Sequence, residues 1–279
     1  MPELTRLPLR IGRHLAWRTE RMTTAALDRM RRGDRTVTMT PQAGLRFGNW
    51  LYLWMHAYTA SAAGHPWRVL EAPGMDVWFD AFPSLRRLTI ARDQVRFHDR
   101  RVWNEAAWNQ RFGAEFTRAE LQAFIHATLA EHIPSDHSDT IVVNVRRGDY
   151  YAQPHLRARY SFDQAGFLRE ALDLAGPTGR IRLVSDDPEW CRENLGELFE
   201  RYAPDVMYDP RGPVANFLAV CGAQRLIGTN STFSYWGGYV ADAIHSEPQV
   251  IMPRFHARMD EGTDAYQLDP SWTIIGGHH

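Results

Sequence analysis

The sequence predicts an α/β fold built on a parallel sheet, and three observations carry that expectation. From residue 140 onward, short β-prone runs alternate with amphipathic runs of helical length, the pattern of strands joined by crossover helices. Several helical runs open on recognisable capping residues. Polar, small-residue segments follow the predicted strand ends at Val145, Val184 and Gly228, and parallel sheets bind ligands beyond the carboxyl ends of their strands.

Composition limits the alternatives. The 279 residues have ordinary apolar and charged fractions of 44% and 23%, enough for one large domain or two small ones. A net charge of −1 gives no global case for nucleic-acid binding. All 32 basic residues are arginine. Cys191 and Cys221 lack zinc-type spacing, so neither a disulfide framework nor a metal site is expected. No run of ~18 apolar residues occurs, and the opening MPELTRLPLR lacks the features of a signal peptide. A cytoplasmic protein is expected.

In chain order, residues 1–35 form a basic segment. Its arginines outnumber Glu3, Glu20, Asp28 and Asp34, and Leu7, Leu9, Ile11, Leu15 and Trp17 are interleaved. One reading is a solvated surface helix; the other is peripheral contact with an anionic membrane face. Residues 36–137 are expected as an N-terminal domain. It opens with a β-prone stretch at 36–40 and a loop at 41–48, followed by a helix from Asn49 to about Ser61 with Asn49 as N-cap. A further helix is expected over 116–131, where Thr117 and Glu120 make a capping box and Leu121, Phe124, Ile125 and Leu129 a stripe.

The polar run 134–139 breaks regular structure and marks the junction to a C-terminal domain over 138–275. A strand at 140–145 is followed by a helix capped by Ser161 and Gln164 and ended by Gly176. A strand at 181–185 precedes a short helix capped by Asp187, with Pro188 in its first turn. Then come a strand at 206–208, a helix at 214–221, a strand at 225–228, a helix from Ser231 and a strand at 250–252.

Three segments could carry chemistry. Asn144-Val145-Arg146-Arg147-Gly148-Asp149-Tyr150 runs from a buried strand into two guanidinium forks, which match phosphate oxyanions. The alternative is an arginine-rich turn, and the sequence holds its own control: Arg31-Arg32-Gly33-Asp34 repeats the tetrapeptide away from any apolar strand. The second segment, 228–238, ends a strand and opens a helix on Asn230, Ser231, Thr232, Phe233 and Ser234. Unpaired N–H groups and hydroxyls there suit an anion, although ordinary capping explains the same residues. The third is Ser185-Asp186-Asp187, in which Asp187 already has a capping role and Asp186 is free to contact a nucleoside.

These segments occur in an order that resembles the inverting α-1,2-fucosyltransferases of bacteria and, more distantly, the α-1,6- and protein O-fucosyltransferases. The family pattern His-x-Arg-Arg-Gly-Asp-Tyr is similar to 144–150, Ser-Asp-Asp-x-x-Trp-Cys to 185–191, and Asn-Ser-Thr-Phe-Ser-Trp-Trp-Gly-Ala to 230–238. Gly48-Asn49-Trp50-Leu51-Tyr52-Leu53 resembles an N-terminal Gly-Asn pattern, and 268–275 a closing Leu-x-Pro-x-Trp-x-x-Ile. Two departures stand out: Asn144 replaces the family histidine and Tyr235 a tryptophan.

The resemblance implies a GT-B-type arrangement of two Rossmann-like domains with parallel sheets. The first would be the acceptor side and the second the nucleotide-sugar side. It implies GDP-L-fucose as donor, a glycan as acceptor, an α-1,2 linkage, inversion, and no required metal or cofactor. Arg146 and Asp149 become the catalytic candidates, with Arg146 on the β-phosphate and Arg147 or Asp149 bracing its loop. Asn49, Asn144, Asp186, Asn230, Ser231, Thr232, Phe233 and Ser234 complete the donor site. The aromatic-rich first half, with Trp54, His56, Trp78, Trp103 and Trp108, is the expected acceptor pocket. A transferase for another deoxysugar nucleotide and a non-catalytic nucleotide-sugar-binding module are the alternatives.

Overall fold

The computed structural model describes residues 27, 30–39, 45–103, 110–209 and 212–278. Most of the basic segment 1–35, residues 40–44 and Trp108 lie outside the described residues. Two parallel sheets organise the chain. The first contains β1 (Thr36–Met39), β2 (Trp67–Leu70), β3 (Thr89–Ile90) and β4 (Arg100–Trp103), in the order β3-β2-β1-β4. Helix α1 (Phe47–Ala62) crosses from β1 to β2, and the short α2 (Asp76–Ala81) lies between β2 and β3. Helix α3 (Arg118–Thr128) then leads towards the second sheet.

That sheet starts with β5 (Asp136–Val145), followed by α4 (Gly148–Ala152), α5 (Pro154–Tyr160), α6 (Gln164–Ala175) and β6 (Arg180–Ser185). It continues through α7 (Pro188–Glu200), β7 (Asp205–Asp209), α8 (Pro213–Cys221), β8 (Ala223–Gly228), α9 (Thr232–Ile244) and β9 (Gln249–Pro253). An antiparallel hairpin, β10 (Phe255–Met259) and β11 (Gly262–Asp264), interrupts the alternation before β12 (Thr273–Ile275) returns to the edge. The order is β12-β9-β8-β5-β6-β7, and every pair in both sheets is parallel. The chain leaves β5 for β6 and β7 on one side and then crosses to β8 and β9 on the other. A crevice opens at such a reversal.

Local signals set several boundaries as expected. Thr117 caps α3 with a reciprocal box: Glu120 N–H donates to Thr117 Oγ1 (3.2 Å) and Thr117 N–H to Glu120 Oε2 (2.8 Å). Asp187 accepts from Trp190 N–H ahead of Pro188, and Ser231 caps α9. Others differ. Helix α1 begins at Phe47, and Arg46 is its N-cap without a side-chain bond, so Asn49 lies inside the first turn. The cap of α6 is Asp163, whose Oδ1 accepts from Gly166 N–H (2.9 Å), not Ser161. The run 134–139 does not stay irregular: β5 already begins at Asp136, which pairs with Ala223.

One aromatic body joins the two halves. Phe47, Tyr52 and Trp54 of α1, Phe124 of α3, Phe217 of α8 and Trp236 and Tyr239 of α9 belong to a single buried cluster. Phe47 stacks on Trp78 at 3.5 Å and meets Phe217 edge-on at 4.8 Å, while the Tyr52 and Trp236 rings lie 5.0 Å apart. Truncating one such side chain typically costs about 3–5 kcal/mol. The cluster holds α1 and α9 side by side and so fixes where their first turns lie. It also corrects the expected acceptor pocket: Trp54 and Trp78 are core, and His56 packs edge-on against Trp67. Trp103 ends β4.

Candidate active site

A cavity of about 320 Å³ lies at the carboxyl ends of β5 and β6, within the range of small-ligand sites. Three helix starts converge on it. Gly48 and Asn49 come from α1; Ser231, Thr232 and Phe233 from the start of α9; Gly212, Pro213 and Asn216 from the start of α8. A Cβ on Gly48 would stand 2.5 Å from Thr232 Oγ1, so only glycine lets the first turns of α1 and α9 touch. The leading N–H groups and the dipoles of these helices make the cavity a site for an anion.

Arg146 supplies positive side-chain charge at the cavity wall, held by two carboxylates. Its backbone N–H donates to Thr229 Oγ1 (2.9 Å), which ties the end of β5 to the segment after β8. Its guanidinium pairs with Asp186 Oδ2 (2.7 Å) and Asp149 Oδ1 (2.5 Å) and lines the cavity. Two carboxylates therefore hold one fork in place, and its remaining donors are available to a phosphate. Asp186 Oδ1 also accepts from Arg147 N–H (2.8 Å), so both of its oxygens already hold the loop. The loop turns at Gly148 with φ of +23°, and a Cβ there would stand 2.3 Å from Asp186 Oδ2.

Arg147 turns away from the cavity. It is buried between the Trp190 and Tyr151 rings, 3.3 and 4.0 Å from their centroids, and donates to Asp187 Oδ2 (3.3 Å) and Gln164 Oε1 (3.1 Å). Gln164 Nε2 in turn donates to Arg146 O (2.8 Å). Arg147 braces the loop and makes no wall contact. Ser234 and Asn230 are likewise behind the wall. Ser234 Oγ donates to Asn144 Oδ1 (2.7 Å), and Asn144 Nδ2 donates to Val184 O (3.1 Å), so Asn144 brackets β5, β6 and α9. Asn230 Nδ2 donates to Tyr160 O (2.9 Å) and His256 O (2.8 Å), which pins α5 and β10.

The remaining sequence candidates reach the cavity. Asn49 lines it, and its Oδ1 accepts from Gln110 Nε2 (3.0 Å). Ser231, Thr232, Phe233, Asn144, Asp149 and Asp186 also line it. Sequence reading missed Arg46, Tyr150 and the α8 residues; the start of α8 at Gly212-Pro213 was the available signal. Cys191 offers no thiolate chemistry, since burial pushes its thiol up to about 11. Among the described residues no group of three or more His, Cys, Asp and Glu converges to hold a metal, and no helix is long and apolar enough to cross a membrane.

Comparison with known proteins places this geometry in a family. Residues 97–273 match the model of glycosyl transferase family 11, more than half of the chain. Galactoside alpha-(1,2)-fucosyltransferase 1 of Alouatta belzebul is 34% identical over 116 residues, 39% of this chain and 31% of that protein. Galactoside alpha-(1,2)-fucosyltransferase 2 of Rattus norvegicus is 30% identical over 135 residues, 46% of this chain and 36% of that protein. The match thus spans about a third of each relative's length. Among solved structures, E. coli heptosyltransferase WaaC with ADP aligns with a TM-score of 0.41 and 12% identity over 87% of this chain and 93% of that one. On the family match, with the expected motifs at the cavity, the chain belongs to glycosyl transferase family 11.

Proposed function

We propose that the protein transfers L-fucose from GDP-L-fucose to a hydroxyl of a galactoside-bearing glycan, with inversion and an α-1,2 linkage. The single observation that carries the reading is the cavity where Arg146 meets the first turns of α1 and α9. The relatives' names supply the sugar, the linkage and the galactoside.

Negative charge grows on the β-phosphate as the fucose–oxygen bond breaks. Arg146, held between Asp149 and Asp186, meets that charge without reorganising, and the helix starts add backbone dipoles. Asp149 acts as a positioning residue for Arg146. Because these groups supply positive charge at the leaving group, turnover is expected without a metal. Asn216 Oδ1 is buried without a hydrogen-bond partner and belongs to a cavity-lining residue; it is an acceptor suited to the N–H edge of guanine. Asn144 donates to Val184 O and accepts from Ser234 Oγ, one donor and one acceptor, the pair that a neutral imidazole also offers.

The test is a donor screen with GDP-L-fucose, UDP- and dTDP-sugars against a β-galactoside, with EDTA present, followed by linkage analysis of the product. Transfer from GDP-L-fucose alone, 1,2-linked, is the expected result. Turnover with another nucleotide sugar, or dependence on a metal, would replace this reading. We propose further that the protein acts in the cytoplasm and that residues 1–35, with nine arginines against four acidic residues, touch an anionic membrane face. Failure to sediment with anionic liposomes at low salt removes the membrane contact.

A further inference from the structure

A second cavity, about 520 Å³, opens beside the donor site. Arg111 comes from the segment before α3; His155 and Arg159 lie on α5, Arg258 on β10, Glu261 at the hairpin turn and Tyr266 beyond it. Two chains of contacts link the cavities. Tyr150 lines the donor cavity and stacks on Tyr160 at 4.2 Å, and the Arg159 guanidinium, which lines the second cavity, lies 5.4 Å from the Tyr160 ring centre. Asn49 lines the donor cavity and is bonded to Gln110, next to Arg111. The Tyr150–Tyr160 pair and Gln110 therefore connect residues of the two linings.

The second cavity is built for a polar ring compound. Glu261 Oε2 accepts from Arg111 Nη2 (2.7 Å) and from the Tyr266 hydroxyl (3.2 Å), and the Arg111 guanidinium lies 4.2 Å from the Tyr266 ring centre. This cluster fastens the hairpin to the first half of the chain, so the wall is held from both sides. Arg258 Nη1 donates to Ser161 O (2.7 Å) and anchors the opposite edge. The guanidinium groups of Arg111, Arg159 and Arg258 and the carboxylates of Asp260 and Glu261 line the space, and vicinal sugar hydroxyls both donate and accept.

We propose that this cavity binds the glycan acceptor, with its terminal hexose on the Arg159 side, towards the Tyr150–Tyr160 pair. The proposal rests on the function proposed above. In the transfer, the acceptor oxygen bonds to the anomeric carbon as the carbon–oxygen bond to the β-phosphate breaks. That electron pair leaves with GDP, and the acceptor proton is released to water.

The test fills the cavity from Ala158, an exposed residue on its wall. With N-acetyllactosamine as acceptor and GDP-L-fucose as donor, Ala158→Trp is expected to raise the acceptor KM about tenfold or more. GDP affinity, read by calorimetry, stays within about twofold because the donor cavity is untouched. Arg159→Ala, a smaller change, is expected to raise the acceptor KM about fivefold. An unchanged acceptor KM in both variants, or an equal loss of GDP affinity, overturns the acceptor site. A wild-type protein that transfers no fucose overturns the proposed function instead.

Discussion

Arg-Arg-Gly-Asp occurs twice in this chain, and the two copies stand at opposite ends of parallel strands. Residues 31–34 lead into the amino end of β1; residues 146–149 leave the carboxyl end of β5. In the first copy, Gly33 N–H donates to His98 O (3.0 Å), and the adjoining Arg35 pairs with Asp99 (2.6 Å). That copy fastens a loop to the edge of the small sheet. In the second, Arg146 faces the cavity and three helix starts. The difference is directional. In a parallel sheet the carboxyl end of each strand feeds the start of the next helix, so unpaired N–H groups gather there. The same four residues become an anion site only at that end.

The sharpest way to break this comparison is to remove the matched arginines. Arg146→Ala is expected to lower kcat by about 10²–10³ with the fold intact, as for loss of one transition-state donor. Arg31→Ala, at the position that matches Arg146, should leave kcat and GDP affinity unchanged; these are read by steady-state kinetics and calorimetry, with circular dichroism as the check on folding. Next come the glycines. A Cβ on Gly148 meets Asp186 Oδ2 at 2.3 Å, and one on Gly33 meets His98 O at 2.5 Å. Each alanine variant should cost about 1–3 kcal/mol in thermal unfolding. Only Gly148→Ala should also weaken GDP binding, by about tenfold, because Asp186 must move off Arg146. A Gly33→Ala variant with impaired GDP binding would erase the distinction.

A smaller effect is expected where the helix starts touch. Gly48→Ala forces α1 away from Thr232 and should weaken GDP about fivefold in calorimetry, near 1 kcal/mol of dipole interaction. The last effect falls on stability alone, with none expected on turnover, and concerns the support behind the second copy. Burial, and then Arg159, lower the His256 imidazole to about 4 from 6.5. The unfolded chain therefore binds a proton between these values while the folded protein does not. This stability is complete above pH 6.5 and is lost as pH falls through 4, by about 3 kcal/mol in all. His256→Gln should flatten that slope between pH 7 and 4.5; an unaltered slope would assign it to other groups.

Capping chemistry was legible because it is local. Thr117 with Glu120, Asp187 with Pro188, and Ser231 each satisfy N–H groups within four residues. The start of α1 was not legible, since Arg46 makes no side-chain cap and the aromatic cluster holds the helix instead. Among the site residues, motif order placed Asn49, Arg146, Asp186, Ser231, Thr232 and Phe233 at one cavity. It could not separate the wall from its bracing. Arg147 and Arg146 are neighbours in a loop, and only the Trp190 and Tyr151 rings decide that one is buried.

By itself, then, the sequence determined the alternation that makes a parallel sheet, most helix starts, and the residue types at each strand end. These depend on periodicity and on bonds between near neighbours. The tertiary structure decided which of two identical tetrapeptides meets helix starts and which arginine faces the ligand. It also decided that Trp54 and Trp78 are core and that polar walls from both halves face each other at Arg111 and Tyr266. Those outcomes rest on contacts between residues tens to hundreds of positions apart, which no local pattern encodes.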